Sequence, residues 1–324
     1  IISYHNEPGV RGPSLRTGFK RIIAEWNPKK IGLNQSRTIP FCDGLTVEMK
    51  KFLIAAIGRE YEKRFVSAES LIVDFLDTRL AEELDYFQEA CAITNMIHEE
   101  VLSRKAVTPG KTTLSDLRWY IYNRLAELDL ETWYVPILVV ICQGREYADD
   151  STVIQPGDLV HSDIGIKYIG LYTDYQRNAY VLRPAGFEAA LQNSLKVQDA
   201  VFQVARAGKI GYKIKEEAES LAKTRGIKAN VYSHSVASGG HGIGAWINPN
   251  WPDRYGVRAT FPLRLGAFYS IESSAVTEIP EWGNRKFSLG TEENAWLAED
   301  GLKYFYPRQE KLILICPSPG PGRN

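Results

Sequence analysis

Residues 157–182 read GDLVHSDIGIKYIGLYTDYQRNAYVL. Gly157-Asp158 opens the stretch, Arg183-Pro184 closes it, and two runs rich in β-branched and aromatic residues flank Gly170. This pattern predicts two antiparallel strands. With the turn centred on Tyr168-Ile169, Asp163 and Asp174 fall opposite each other. Facing side chains in such a pair stand about 5 Å apart at Cβ, and like charges there are destabilising. Two readings are open on these residues. Either a divalent cation lies between the carboxylates, as oxygen ligands and two negative charges suit, or the strands present a solvated polar face with two unrelated acids.

Working outward, the chain has 324 residues with 39 Lys+Arg and 39 Asp+Glu, a net charge of zero. That balance argues against nucleic acid or an anionic membrane as the main partner. No apolar run approaches the roughly 20 residues needed to span a bilayer, and residues 135–142 are short and contain Pro136. The four cysteines, Cys42, Cys91, Cys142 and Cys316, form no C-x-x-C pair. We read them as buried free thiols, which favours a reducing compartment and a cytoplasmic location. The chain begins at Ile1 rather than Met, so we read an N-terminal piece, and any signal peptide, as lying outside it. Residues 316–324, CPSPGPGRN, have the composition of a disordered tail.

Residues 1–67 read as part of a small α/β unit. A helix is expected over 16–26, a short strand over 30–34 and a helix over 45–65, the last with Val47, Ile54, Ile57 and Tyr61 on one face. A domain boundary is expected near residue 67. Helices follow over 79–104, with Leu80, Leu84, Phe87, Cys91 and Leu102 inward, and over 114–128, then a strand over 133–142. Beyond the hairpin come helices over 187–205 and 212–224, the second closed by Gly226, and strands over 229–315. Helix, Gly-Lys break, helix, strands thus occurs twice, around Gly110 and Gly208. The order predicts two similar halves with helices outside and strands inside, although two such breaks can also coincide by chance. Gly110-Lys111-Thr112 is not a phosphate loop, because the required upstream glycine is Lys105 and the segment joins two helices.

The five histidines differ in promise. His5 carries no signal, and His98 keeps register with its helix's apolar stripe, a satisfied core-edge residue. His241 sits in Ser-Gly-Gly-His-Gly-Ile-Gly, where glycines let backbone approach a bulky or charged group. Glu272 lies in a strand-like run, where a buried carboxylate needs a partner. Glu292 and Glu293 on a strand point to opposite faces, one inward and one to water. Asp163, Asp174, His241, Glu272 and Glu292 together form an oxygen-rich set with one imidazole. Such a set suits two divalent ions that acidify a shared water, and lacks the thiolates of a structural zinc site.

These segments in this order resemble the pita-bread metallopeptidase family of methionine aminopeptidase, aminopeptidase P and prolidase, with the metal-free creatinase. The motifs are Asp163 and Asp174 with Arg177 just after, His241 in Gly-His-Gly-Ile-Gly, Pro262-Leu263 leading through Leu265-Gly266 to Ile271-Glu272, and Glu292 ahead of Glu299-Asp300-Gly301. The likeness covers residues 68–315. Residues 1–67 resemble the end of the N-terminal α/β domain of the aminopeptidase P–prolidase branch. The resemblance implies an α/β (α+β) protein whose catalytic domain is a curved antiparallel sheet with outer helices. It implies hydrolysis of the bond before proline by an Xaa-Pro aminopeptidase or dipeptidase. It makes Asp163, Asp174, His241, Glu272 and Glu292 ligands of two divalent metals, with manganese first and cobalt or zinc suited. Glu272 would also be the general base. The implied partner is a proline-containing peptide, and a homodimer is expected.

The sequence also departs from the family pattern. Asn248 stands seven residues after His241 where relatives carry a histidine, Glu146 stands at an upstream histidine position, and Gly290 replaces an arginine two residues before Glu292. His161, on the strand face of Asp163, and His234 are candidate catalytic compensations, with His234 and Asn248 on the substrate side. His161 is equally readable as a partly buried residue bonded to backbone. Two other functions stay open: a catalytically weak family member that binds peptide or a partner, and a hydrolase of non-peptide C–N bonds.

Overall fold

Ser14 opens the first helix, α1 (Leu15–Trp26), its side chain accepting from the Thr17 amide, and Asn27 ends it at φ 41°. The computed structural model describes residues 14–182, 187–236, 239–251 and 256–315; the expected tail, 316–324, lies outside them. β1 (Ile31–Leu33) pairs in parallel with β2 (Phe65–Ser67). Between them α2 (Val47–Ile57) is capped by Thr46. The helix expected to run to residue 65 ends at Ile57, because Gly58 turns to φ 109°, beyond which a 3-10 helix covers Arg59–Arg64. Val47 is exposed rather than inward, whereas Ala56 and Ile57 are buried. The chain divides into two compact units, one ending at Phe75 and one beginning at Leu76, within α3 (Glu69–Asp77).

In the larger unit α4 (Glu83–Val101) and α5 (Leu114–Glu127) come first. A capping box between Thr113 and Asp116 starts α5. β3 (Glu131–Thr132), β4 (Ile137–Cys142), β5 (Arg145–Tyr147), β6 (Leu159–Ile164), β7 (Ile166–Tyr168), β8 (Leu171–Tyr172) and β9 (Tyr175–Val181) follow. Then α6 (Phe187–Val204) and α7 (Gly211–Thr224) repeat the helix pair. β10 (Lys228–Val231), β11 (Ser233–Ser235), β12 (Trp246–Ile247), β13 (Phe268–Ile279), β14 (Arg285–Ala298), β15 (Gly301–Tyr304) and β16 (Ile313–Ile315) complete the described chain. Eleven strands form one sheet in the order β12-β11-β13-β14-β9-β6-β4-β5, with β10 beside β13, β15 beside β14 and β16 beside β9. Among the described residues, the β16–β9 pairing is the one parallel pairing in this sheet.

Strand alternation sorts the sheet into two faces. On one, Ile271, Ala275 and Leu297 pack with Val201, Ile214 and Ala218 of α6 and α7. On the same face, Leu138, Val160, Ile164 and Ala179 pack with Ile97, Leu117 and Ile121 of α4 and α5. Helices thus cover this face, and the residues between these, including the acids, point to the other.

The hairpin register differs from expectation. Its turn is Ile169-Gly170, with φ 43° and 86°, and Tyr168 pairs with Leu171. Both central residues are left-handed, the geometry that matches strand twist, and glycine takes the second place without strain. Asp163 therefore lies opposite Gln176 rather than Asp174. Asp174 stands diagonal to Asp163 on the same face, a separation still within side-chain reach.

Candidate metal centre

The register builds the site as rows across the sheet. Asp163 of β6 pairs with Gln176 of β9, Gln176 with Glu292 of β14, and Glu292 with Glu272 of β13. Four consecutive strands thus place Asp, Gln, Glu and Glu side by side on the helix-free face. The neighbouring row supplies Ser270 opposite His234 and opposite Asn294. Asn294 clamps the strand entry at Asp174: its side-chain oxygen accepts from the Asp174 amide at 3.0 Å, and its Nδ2 donates to the Asp174 carbonyl at 2.8 Å. Ser270 donates to Glu292 Oε1 at 2.6 Å. From a different segment, the Tyr134 hydroxyl contacts Asp163, and also Asp174 at 2.9 Å. The single phenol proton is thus shared between the two carboxylates.

The carboxyl groups are held far from their ordinary state. Burial, then Glu292, pushes Asp163 up to about 7, and burial pushes Glu292 up to about 7. Asp174 and Glu272 are raised well above the usual carboxylate range, first by burial and then by Glu292. Removing charges from water while crowding like charges together produces this response. The two imidazoles shift the other way. Burial, opposed in part by the Ser235 carbonyl, lowers His234 to about 4, and burial with His234 and Arg258 lowers His241 to about 3. Neither is charged at neutral pH, so the cluster lacks a cation of its own at its centre.

His234 Nε2 stands 3.6 Å from Asp174 and 3.7 Å from Glu292, and His241 Nε2 stands 3.9 Å from Asp174. Three groups have donor atoms all within 4.8 Å of one another: Asp174 with His234 and His241, His234 with Glu272 and Glu292, and Asp163 with Asp174 and Glu292. The acids and His241 line a cavity of about 280 Å³ with Trp133, Tyr134, Ile137 and Tyr232. A second cavity of about 350 Å³ shares Ile137, Tyr232 and Glu272, and adds His161, Glu146, Asn230 and an apolar wall including Val139, Ile141 and Phe287.

The structure thus brings together Asp163, Asp174, His234, His241, Glu272 and Glu292. His161 lies along the second cavity, its Nδ1 2.9 Å from Asn178 Oδ1, a side chain rather than the backbone partner weighed from sequence. Asn248 is fully buried and lines neither cavity. Glu293 does not reach water. It is buried on the helix-covered face and receives both terminal nitrogens of Arg177, at 2.9 and 2.8 Å. His98 is fully buried with its Nδ1 2.8 Å from Ser162 Oγ, deeper than a core edge. Sequence reasoning missed Gln176, Ser270, Asn294 and Tyr134. The first three stand on the strands of the acids, and same-face spacing of two residues was the available signal.

A family model described as Metallopeptidase family M24 matches residues 85–299. The chain belongs to this family. Among solved structures, the X-Pro aminopeptidase of Thermotoga maritima MSB8 resembles this M24 chain with a TM-score of 0.69 at 16% identity, over 94% of this chain and 81% of that one. A recombinant prolidase from Thermococcus sibiricus gives 0.60 at 17% identity, over 84% and 71%. A dipeptidase from Pyrococcus horikoshii OT3 gives 0.64 at 16%, over 93% and 78%. No curated protein matches the M24 chain by sequence. At these identities the structural likeness speaks for the fold, which is the pita-bread fold.

Proposed function

We propose that this M24 chain is a metal-dependent peptidase that cleaves the bond before proline in short peptides. One observation carries the metal requirement. Four acids, Asp174 and Glu292 buried and Asp163 and Glu272 partly so, converge with two uncharged imidazoles and, among the described residues, no cationic side chain in the donor groups, an arrangement whose charge calls for cations. The donor set fits: carboxylate oxygens and imidazole nitrogens, without thiolate, suit manganese, cobalt or zinc. Asp163, Asp174, His241, Glu272 and Glu292 would hold two ions, which supply positive charge to polarise a carbonyl and to acidify water.

The chain's own groups do the rest. Glu272 borders both cavities, so its carboxylate can take the proton of the attacking water and pass it to the leaving nitrogen. Tyr134, between Asp163 and Asp174, fixes the orientation of those two carboxylates. The apolar wall of Ile137, Val139, Ile141 and Phe287 receives peptide side chains and keeps bulk water out. His161 reaches the same cavity and, on this reading, would hydrogen-bond the substrate backbone. The X-Pro aminopeptidase and prolidase named above support proline after the scissile bond.

The test is metal analysis of the purified protein together with assays on Xaa-Pro and Xaa-Ala peptides. Bound metal with preferential Xaa-Pro turnover is expected. Metal with equal or no peptide turnover would remove the proline assignment, and metal-free protein active on peptides would remove the whole reading. A second reading, a peptide binder with weak catalysis, draws on Asn248 lying away from both cavities. Tight peptide binding without turnover would favour it.

A further inference from the structure

His234 was expected on the substrate side, yet its surroundings are those of something else. It is fully buried, on β11 between Trp246 and Ser270 of the flanking strands. Its Nδ1 lies 3.0 Å from the Ser235 carbonyl. A carbonyl oxygen only accepts, so Nδ1 holds the ring proton and Nε2 is a bare lone pair in the neutral ring. Nε2 has no hydrogen-bond partner. It points at Asp174 and Glu292 oxygens 3.6 and 3.7 Å away, too far for hydrogen bonds and lone pair against lone pair. A buried acceptor facing acceptors is costly unless something electropositive stands between them. Ligands about 2.1 Å from one ion stand roughly 3.0–3.5 Å apart, close to the separations seen.

We infer that His234 is itself a ligand of the cation cluster, a second imidazole beside His241. The inference rests on the metal-dependent reading above. The shared group of Asp174, His234 and His241 then binds one ion through two nitrogens and an oxygen. The Ser235 carbonyl fixes the tautomer, as outer partners of metal-bound histidines do. A second nitrogen ligand favours cobalt or zinc over manganese at that position.

The experiment titrates metal-free wild-type protein and His234→Gln with Co(II), following heat and visible absorption. In parallel, pulsed EPR on each protein loaded with one equivalent of Cu(II) counts coordinated imidazoles. The expected result is two imidazoles in the wild type and one in His234→Gln, with Co(II) binding weakened about 100-fold or more and its visible bands altered. Second-layer partners alone cost about 10–100-fold. A single imidazole in the wild type overturns the inference whether or not the variant folds. So does unchanged Co(II) affinity in a variant whose circular dichroism is native. Wild-type protein that binds neither ion overturns both this inference and the metal-dependent reading, whereas binding with one imidazole overturns the inference alone.

Discussion

At the scale of single residues, the side chains differ in what they are asked to do. With Asp174 and Glu272 as ligands, Asp174→Ala or Glu272→Ala abolishes both metal loading and turnover, measured by elemental analysis and a peptide assay on the same sample. His161 borders the second cavity without belonging to the three donor groups. His161→Ala therefore lowers turnover while metal content stays near that of the wild type; an unchanged rate would return it to a structural role with Asn178. The charged members of the site were legible in sequence because acids inside strand-like runs stand out. Gln176 was less so, because a neutral amide carries no charge signal and only its spacing of two residues from Asp174 marks its face. Its place among Asp163, Glu272 and Glu292 follows only from register, and the amide moderates the raised pKa of both glutamates. His234 was legible as a residue of interest. Its approach to Asp174 depends on β11 pairing with β13, a contact no local pattern reveals.

At the scale of elements, the hairpin shows what local reading can and cannot fix. Both strands and their approximate turn were legible from composition, but the register was not, because Tyr168-Ile169 and Ile169-Gly170 are adjacent choices. The positive φ at Gly170 decides for the latter. Gly165, opposite Asp174 in this register, leaves room that Trp133 and Tyr134 fill; a Cβ there would collide with both. Behind the acid row, on the helix-covered face, Arg177 and Glu293 tie β9 to β14. Each is one residue from a member of the row, Gln176 or Glu292. Glu293→Ala leaves a buried guanidinium uncompensated and costs about 3–5 kcal/mol, measured by denaturant unfolding. Replacing both partners, as Arg177→Met with Glu293→Leu, recovers most of that loss, since the uncompensated charge is gone. Sequence could not foresee Glu293 turning inward, because its partner lies 116 residues away.

At the scale of the whole molecule, the repeated order of helix pair and strands was legible in the two Gly-Lys breaks, and the sheet order accounts for it. The β6–β9 and β13–β14 hairpins lie side by side at its middle, and each contributes acids. Crowded, buried acids make the metal-free protein sensitive to pH in a defined direction. Asp163 and Glu292 near 7, with Asp174 and Glu272 also raised, keep four protons in the folded state that are released near 4 when unfolded, and these outnumber the two protons that His234 and His241 bind only when unfolded. The folded state thus holds more protons between these values, and stability of the metal-free protein falls as pH rises from about 4 through 7. Thermal unfolding in chelator across that range checks the sign. Metal addition at neutral pH then raises stability, by about 4 kcal/mol at a thousandfold excess over Kd. No helix among the described residues is long and apolar enough to cross a membrane.

Because Asp163, Gln176, Glu292 and Glu272 come from adjacent strands, their pitch is that of the backbone ladder, about 4.8 Å per step. Ladder pitch is common to all β-structure and hardly yields to side-chain replacement. The spacing between captured charges is thus dictated by the peptide chain, and evolution is left to vary only what occupies each tooth of the comb.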